Sequence, residues 1–199
     1  MKSSVVSLVF FLFVTTSLFA QDRFEVFGEY SYLHFSPTIA GTSSRSFNGG
    51  GGGAQFNFAK FLAVKGEFMG YGSSTFTADY LGHTYTASGN MFTYLFGPVI
   101  RIPLWYVKPF GEVLLGGSNT NAYVNLSNAI VAGGGAISRT PNQHPFTLAL
   151  GGGLDLKLTE HVSIRPGEVD FVLTRYTNPL TSTNNQNNFR YCGGVVFTF

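Results

Sequence analysis

The chain has 199 residues, of which only 11 per cent are charged, whereas glycine (25 residues) and phenylalanine (21 residues) are abundant. This length suits a single domain, and the charged fraction lies far below the roughly 25 per cent of a typical soluble domain. The formal net charge is +2, and no run of lysine or arginine forms a basic stripe, so the footprint of a nucleic-acid-binding protein is absent and we expect no nucleic-acid partner.

The first segment, MKSSVVSLVFFLFVTTSLFAQD, has the layout of a secretory signal peptide. One lysine supplies the positive start, residues 5–14 are apolar, and small or polar residues precede a predicted cleavage site after Ala20. The apolar stretch is too short for a transmembrane helix. We therefore expect residues 1–20 to be a signal peptide and residues 21–199 to form the exported domain.

Beyond the signal peptide, apolar and polar side chains alternate with a period of two, which is typical of β-strands. The first such run is RFEVFGEYSYLHF, and seven further stretches show the same alternation. The predicted strands cover residues 23–35, 52–58, 62–71, 90–102, 107–117, 146–158, 162–176 and 189–199. The sequence therefore predicts an all-β domain of eight strands.

The links between the predicted strands alternate between short and long. The long links are residues 36–47, 72–88, 118–144 and 177–188, and the links between them are only a few residues each. Such long loops argue against an ordinary compact domain. Short periplasmic turns and long outer loops are instead the expected layout of an outer membrane barrel, with both chain ends on the periplasmic side.

The polarity of the two strand faces indicates which side of the barrel wall contacts lipid and which side is polar. About twenty large apolar side chains share one face, which is too many for the interior of an eight-stranded barrel, so this face must point to lipid. The other face carries the charges and would line a narrow lumen, where acids and bases must pair because an unpaired buried charge costs several kcal/mol. The predicted lumen charges are Glu25, Glu29, Glu67, Glu112, Asp155, Glu168, Asp170, Lys65, Arg101, Lys108, Lys157, Arg165 and Arg190.

The seventh predicted strand breaks the alternation. Arg165 is odd-numbered whereas Glu168 and Asp170 are even-numbered, so a regular strand would place charge against lipid, at about 2–4 kcal/mol for an arginine. Pro166-Gly167 lies between them and has the two properties of a β-bulge, a missing ladder donor and tolerance of unusual dihedrals. We predict a bulge there that turns all three charges inward. The side chains that would then face lipid are Ile164, Val169, Phe171 and Leu173.

The last stretch, CGGVVFTF, resembles the C-terminal signal of the bacterial outer membrane β-barrel family, specifically of eight-stranded barrels like outer membrane protein A. Gly194, Phe197 and Phe199 carry this resemblance, which covers residues 23–199, whereas Cys192 stands where the family usually has a more polar residue. The resemblance implies an eight-stranded antiparallel up-and-down transmembrane β-barrel in the outer membrane. It also implies assembly by the barrel assembly machinery and contact with outer membrane lipids, including lipopolysaccharide.

The chemistry-bearing residues do not form a recognisable active site. None of the four histidines lies in a metal-ligand spacing or a triad, and the glycine runs lack the GK[ST] ending of a phosphate loop. We expect no catalytic, cofactor or metal residues, and a monomeric barrel with a structural or surface-interaction role and no wide pore. The arginines that could contact lipopolysaccharide phosphates are Arg45, Arg139 and Arg175. Two alternatives stay open: a lipid acyl hydrolase or transferase that uses His34, and a soluble lipocalin-like ligand-binding barrel.

Overall fold

The computed structural model shows a closed, all-antiparallel β-barrel. It describes residues 23–36, 44–120, 130, 145–175 and 185–199. The strands are β1 (Phe24–Phe35), β2 (Arg45–Ala59), β3 (Leu62–Tyr80), β4 (His83–Arg101), β5 (Val107–Thr120), β6 (Phe146–Lys157), β7 (Val162–Arg175) and β8 (Asn185–Thr198). Each strand pairs with the next, and β8 pairs with β1 to close the barrel. The eight-stranded fold class predicted from the sequence is confirmed.

Alternation along each strand sorts the side chains to the two sides of the barrel wall. In β1, for example, Phe24, Val26 and Tyr30 are exposed, whereas Glu25 and Glu29 are buried. The result is an apolar outer belt around a lumen that contains charges, which is the opposite of a soluble ligand-binding barrel. Among the described residues, no helix is long and apolar enough to cross a membrane.

Residues 72–88, predicted as a long loop, instead continue β3 and β4 as a hairpin that we call the outer arm. Its ladder runs to the pair Tyr80 and His83. The turn residues Leu81 and Gly82 have φ angles of 51° and 78°, and positive values at both positions are typical of a type I′ turn. The loop prediction is wrong because most described side chains of the arm are exposed, so its sequence lacks an apolar and polar alternation.

Two further strands begin earlier than predicted. β2 starts at Arg45, whereas the prediction placed its start at residue 52, and β8 starts at Asn185 rather than at residue 189. The early part of β2 runs into Gly49, Gly50 and Gly51, which have no side chains to reveal the alternation. Residues 1–20, the predicted signal peptide, and much of the loops predicted at 36–47, 118–144 and 177–188 lie outside the described residues.

The predicted bulge in β7 is confirmed. Arg165 pairs with Gly194 and Glu168 pairs with Cys192, so β7 has one more residue than β8 between the two pairs. The register between β6 and β7 shifts at the same place. Arg165, Glu168 and Asp170 are consequently all buried in the lumen. The apolar side chains predicted for the other face are exposed at Ile164, Val169 and Phe171 and half-buried at Leu173.

Tyr191 of the neighbouring strand supports this bulge from the lipid side. Its hydroxyl donates a hydrogen bond to the carbonyl oxygen of Pro166 at 2.5 Å, which satisfies a backbone group that the bulge removes from the regular ladder. A Cβ atom at Gly167 would lie 3.1 Å from the Tyr191 ring, so the glycine makes room for it.

The lumen has an apolar outer part and a charged part nearer the short turns. The outer part is a cluster of buried side chains that includes Ile130, the one described residue within 121–144. The other members of this outer cluster are Leu33, Phe35, Phe47, Met69, Tyr71, Ala78, Met91 and Cys192. The Cys192 thiol donates to the Ser31 hydroxyl at 3.3 Å. These described side chains fill the outer part of the lumen above the charges.

Candidate functional site

The strands bring eleven of the thirteen predicted lumen charges into one connected set of ion pairs, which we call the lumen network. All eleven side chains are buried. The members are Glu25, Glu29, Lys65, Glu67, Arg101, Glu112, Asp155, Arg165, Glu168, Asp170 and Arg190. Seven carboxylates therefore surround four cations in a space that water scarcely reaches.

Lys65 of β3 lies at the centre of the lumen network. Its ammonium nitrogen is 3.1 Å from Glu67, 3.1 Å from Glu112 and 2.9 Å from Glu168. These three carboxylates lie close enough to one another to hold a metal ion, but the ammonium group already occupies the space between them. The ammonium group donates hydrogen bonds to Glu112 and Glu168, and its contact with Glu67 is an ion pair.

Arg165 binds carboxylates from three strands. It donates to Asp155 in a bidentate manner, from Nε at 2.7 Å and from Nη2 at 3.2 Å. Its Nη1 also donates to Glu29 at 2.7 Å and to Glu168 at 2.8 Å. The bulge in β7 makes this possible, because Arg165 and Glu168 would face opposite sides of a regular strand.

Two further arginines complete the lumen network at its two ends. Towards the outer cluster, Arg190 donates to Asp170 at 2.8 Å and also contacts Glu67 and Glu168.

Towards the short turns, Arg101 donates to Glu25 and to the side-chain oxygen of Asn57, each at 2.8 Å. Its Nη2 also lies 3.9 Å from Asp155, which joins this end to the rest of the network.

Two aromatic side chains in the lumen were not among the predicted site residues. The ring of Phe27 lies 5.1 Å from the Lys65 ammonium nitrogen, and the ring of Phe110 lies 4.4 Å from the Arg165 guanidinium carbon. Both distances allow cation–π attraction. The alternation did contain the signal, since Phe27 shares the parity of Glu25 and Phe110 shares the parity of Glu112.

Inward-facing glycines make room for these long side chains. A Cβ atom at Gly53 would lie 2.6 Å from the ring of Phe27, and one at Gly194 would lie 2.8 Å from Cγ of Glu29. Glycines in a strand also permit tight bending of a small barrel. The structure adds that they leave lumen space that a side chain would fill.

Lys108 and Lys157 are the two predicted lumen charges that the structure leaves outside the lumen network. Both are half-buried near the short turns, and neither forms an ion pair within the described residues. Asp155 lies opposite Lys108 in the ladder between β5 and β6. Its carboxylate is bound by Arg165 instead, at 2.7 Å.

The three residues of the predicted assembly signal lie on the closing strand. Phe197 and Phe199 are exposed on the outer face at the end that carries the short turns. The backbone N–H of Phe199 donates to the carbonyl oxygen of Phe24 at 2.8 Å, so the two ends of the barrel domain are joined there. Gly194 pairs with Glu29 across the closure, where a Cβ atom would collide with the carbonyl oxygen of Gly28.

The fold is similar to that of several solved structures. Neisserial surface protein A is 11% identical, the match covers 88% of this chain and 97% of that chain, and the TM-score is 0.61. The outer membrane protein OprG from Pseudomonas aeruginosa is 12% identical, with 90% and 97% covered and a TM-score of 0.62. Ail, the attachment invasion locus protein of Yersinia pestis, is 12% identical, with 90% and 99% covered and a TM-score of 0.50. No protein-family model and no curated protein matches the sequence.

At these sequence identities the structural similarity establishes the fold alone. The exposed apolar side chains of this chain indicate that the barrel lies in a membrane. An apolar belt of this extent needs lipid around it, and in lipid only a closed barrel satisfies every strand hydrogen bond. The chain is an eight-stranded transmembrane β-barrel of the bacterial outer membrane. The resemblance to outer membrane barrels seen in the sequence is confirmed.

Proposed function

We propose that this barrel has a structural or surface-interaction role and is not a wide pore. The observation that supports this best is the filled lumen, in which no member of the lumen network is more than 6% exposed. The outer cluster closes the same passage from the other end. Because an eight-stranded barrel is just wide enough to be filled by side chains, a solute would have to break the network to pass.

The outer arm offers a surface for such an interaction. β3 and β4 have 19 residues each, whereas the remaining strands have 12 to 15. About 10 residues suffice to cross the membrane as a tilted strand, so the excess projects outward. Leu81 at the tip is 82% exposed. Exposed tips held by a rigid barrel are common positions for binding residues.

Liposome swelling tests the closed lumen. Liposomes that contain the purified, folded protein should be no more permeable to small sugars than liposomes without protein. A porin reconstituted at the same density serves as the positive control. Swelling at the porin's rate would contradict the proposal.

Shortening the outer arm tests the surface role. In this variant an Asn-Gly turn replaces residues 74–89, and the full-length variant Leu81→Asn, which keeps the arm, is the matched control. We expect equal amounts of both barrels in outer membranes but weaker adhesion of intact cells to one another and to immobilised glycoproteins for the shortened variant. Equal adhesion of the two variants would leave only the structural role.

The partners proposed for the barrel follow from its two ends. Arg45 and Arg175 are exposed at the outer ends of β2 and β7, where arginine side chains can bind lipopolysaccharide phosphates. Arg139, the third arginine of this prediction, lies outside the described residues. During biogenesis the barrel assembly machinery recognises the last strand through Phe197 and Phe199. The folded barrel acts as a monomer, which is supported by the pairing of β8 with β1, since this pairing leaves no open sheet edge.

The alternative function is hydrolysis or transfer of lipid acyl chains at the outer rim. His34 Nδ1 lies 3.3 Å from the Ser46 hydroxyl, which also lies 2.7 Å from the Tyr32 hydroxyl. In the part of the chain that the structure describes, no carboxylate pairs with His34, although a catalytic triad uses such a group to orient the histidine. Loss of acyl hydrolysis in a His34→Ala variant would favour the enzyme, and unchanged lipids in cells with and without the wild-type protein would exclude it.

A further inference from the structure

The end of the barrel that carries the short turns holds a cavity of about 380 Å³. It lies between the β2–β3 turn and the β4–β5 turn, and we call it the basic mouth. Among the residues that the structure describes, its wall contains five basic side chains and one carboxylate, that of Glu25. The basic side chains are Arg23, Lys60, Arg101, Lys108 and Lys157.

The single carboxylate does not neutralise the basic mouth. Glu25 accepts a hydrogen bond from Arg101 at 2.8 Å, so this acid is balanced by Arg101, the one basic residue of the five that is buried rather than half-buried or exposed. The remaining four basic side chains form no ion pair with any described residue. The basic mouth therefore has a local excess of positive charge, although the formal net charge of the whole chain is only +2.

The position of Lys108 explains why the excess persists. The strand register places it opposite Asp155, the natural partner for an ion pair across the ladder. Arg165 binds that carboxylate through two hydrogen bonds, at 2.7 and 3.2 Å. Lys108 and Lys157 are half-buried cations in one cavity, and neither forms an ion pair with a described residue.

An anion in the cavity would relieve this repulsion. Clefts lined by charge of one sign and bounded by apolar walls concentrate counter-ions, and lysine is a common binder of phosphate as a point charge. The volume also lies within the roughly 300–1,000 Å³ of ligand sites. Phosphate-bearing ligands fit both the charge and the size of the cavity.

We propose that the basic mouth binds a phosphate group, either the headgroup phosphate of an anionic phospholipid or a free phosphate anion. Lys108 and Lys157 hold the phosphate oxygens. Phe58, Leu104 and Trp105 form part of the same wall and are all exposed. The acyl chains of a bound lipid would pack against these apolar side chains.

The chain provides its own reporter for a binding experiment, because its single tryptophan is Trp105 in the wall of the basic mouth. The folded full-length protein is held in a neutral maltoside detergent and titrated at constant ionic strength. One arm of the experiment uses inorganic phosphate with chloride as the comparison. The other uses short-chain phosphatidylglycerol with short-chain phosphatidylcholine as the comparison. Tryptophan fluorescence and calorimetry are recorded for both arms.

We expect saturable binding of at least one phosphate probe, and the arm in which it occurs identifies the source. The double variant Lys108→Gln/Lys157→Gln should weaken the binding about tenfold or more, since it removes both positive charges that hold the phosphate oxygens. The matched variant Lys108→Arg/Lys157→Arg keeps both charges and should retain binding. Absence of saturable binding in both arms and by both readouts would overturn the proposal. Equal affinity of the wild type and the glutamine variant would do so as well.

Discussion

Replacement of Lys65 by methionine should destabilise the barrel strongly, because it removes the cation at the centre of the lumen network. Glu67 would keep Arg190, and Glu168 would keep both Arg165 and Arg190. Glu112 would lose its one ion-pair partner among the described residues. An orphaned buried charge costs about 3–5 kcal/mol, so Lys65→Met should lower the free energy of unfolding by that amount.

The reciprocal variant should be much milder. In Glu112→Gln, Lys65 keeps two carboxylates, Glu67 at 3.1 Å and Glu168 at 2.9 Å, and the new amide oxygen still accepts a hydrogen bond. We expect a cost of about 1 kcal/mol or less, typical of a neutral hydrogen bond. The double variant Lys65→Met/Glu112→Gln removes the orphaned charge and should recover most of the stability that Lys65→Met loses.

Urea unfolding of the three variants in lipid vesicles, followed by the fluorescence of the single tryptophan, measures these differences. The slope of free energy against urea must stay the same for the comparison to hold. Equal costs for Lys65→Met and Glu112→Gln would refute the assignment of Lys65 as the shared cation. A double variant as unstable as the sum of the two single variants would refute it too.

Three other predictions concern the barrel wall. Phe199→Asp should lower the amount of assembled barrel far more than it changes the stability of barrels already folded, because a terminal aromatic residue anchors at the membrane interface. Equal amounts of folded mutant and folded wild type in isolated outer membranes would contradict this. Gly53→Ala should destabilise by about 1–3 kcal/mol, since its Cβ would collide with the carbonyl oxygen of Gly66 and lie 2.6 Å from the Phe27 ring. Gly28→Ala, whose Cβ would have no neighbour within 4 Å, is the control and should match wild type in urea unfolding. Leu81 has a φ of 51°, a left-handed conformation that asparagine adopts more readily than leucine, so Leu81→Asn should relieve about 1 kcal/mol of strain. The variant should therefore be cleaved more slowly by proteases in the outer arm, and an unchanged cleavage rate would count against a strained turn.

The sequence by itself determined the number of strands, their order and which face meets lipid. It could do so because the side-chain period of a strand is two, and because lipid on one side and charge on the other enforce that period along every membrane-spanning segment. Even the bulge at Pro166-Gly167 was predictable, since any regular strand would have placed a charge in hydrocarbon. The outer arm was missed for the complementary reason, because outside the membrane no such constraint marks a strand.

Only the tertiary structure decided which lumen charges meet. The alternation of side chains along each strand places Lys65, Lys108 and Asp155 on the inner face. It does not give the position of each residue along the barrel axis or the direction in which its side chain turns. The stagger of the closed barrel brings Lys65 of β3 beside Glu112 of β5 and Glu168 of β7, which are far apart in sequence. The structure also shows that Arg165 binds Asp155 through two hydrogen bonds, whereas Lys108, the ladder neighbour of Asp155, forms no ion pair with a described residue and lies in the wall of the basic mouth.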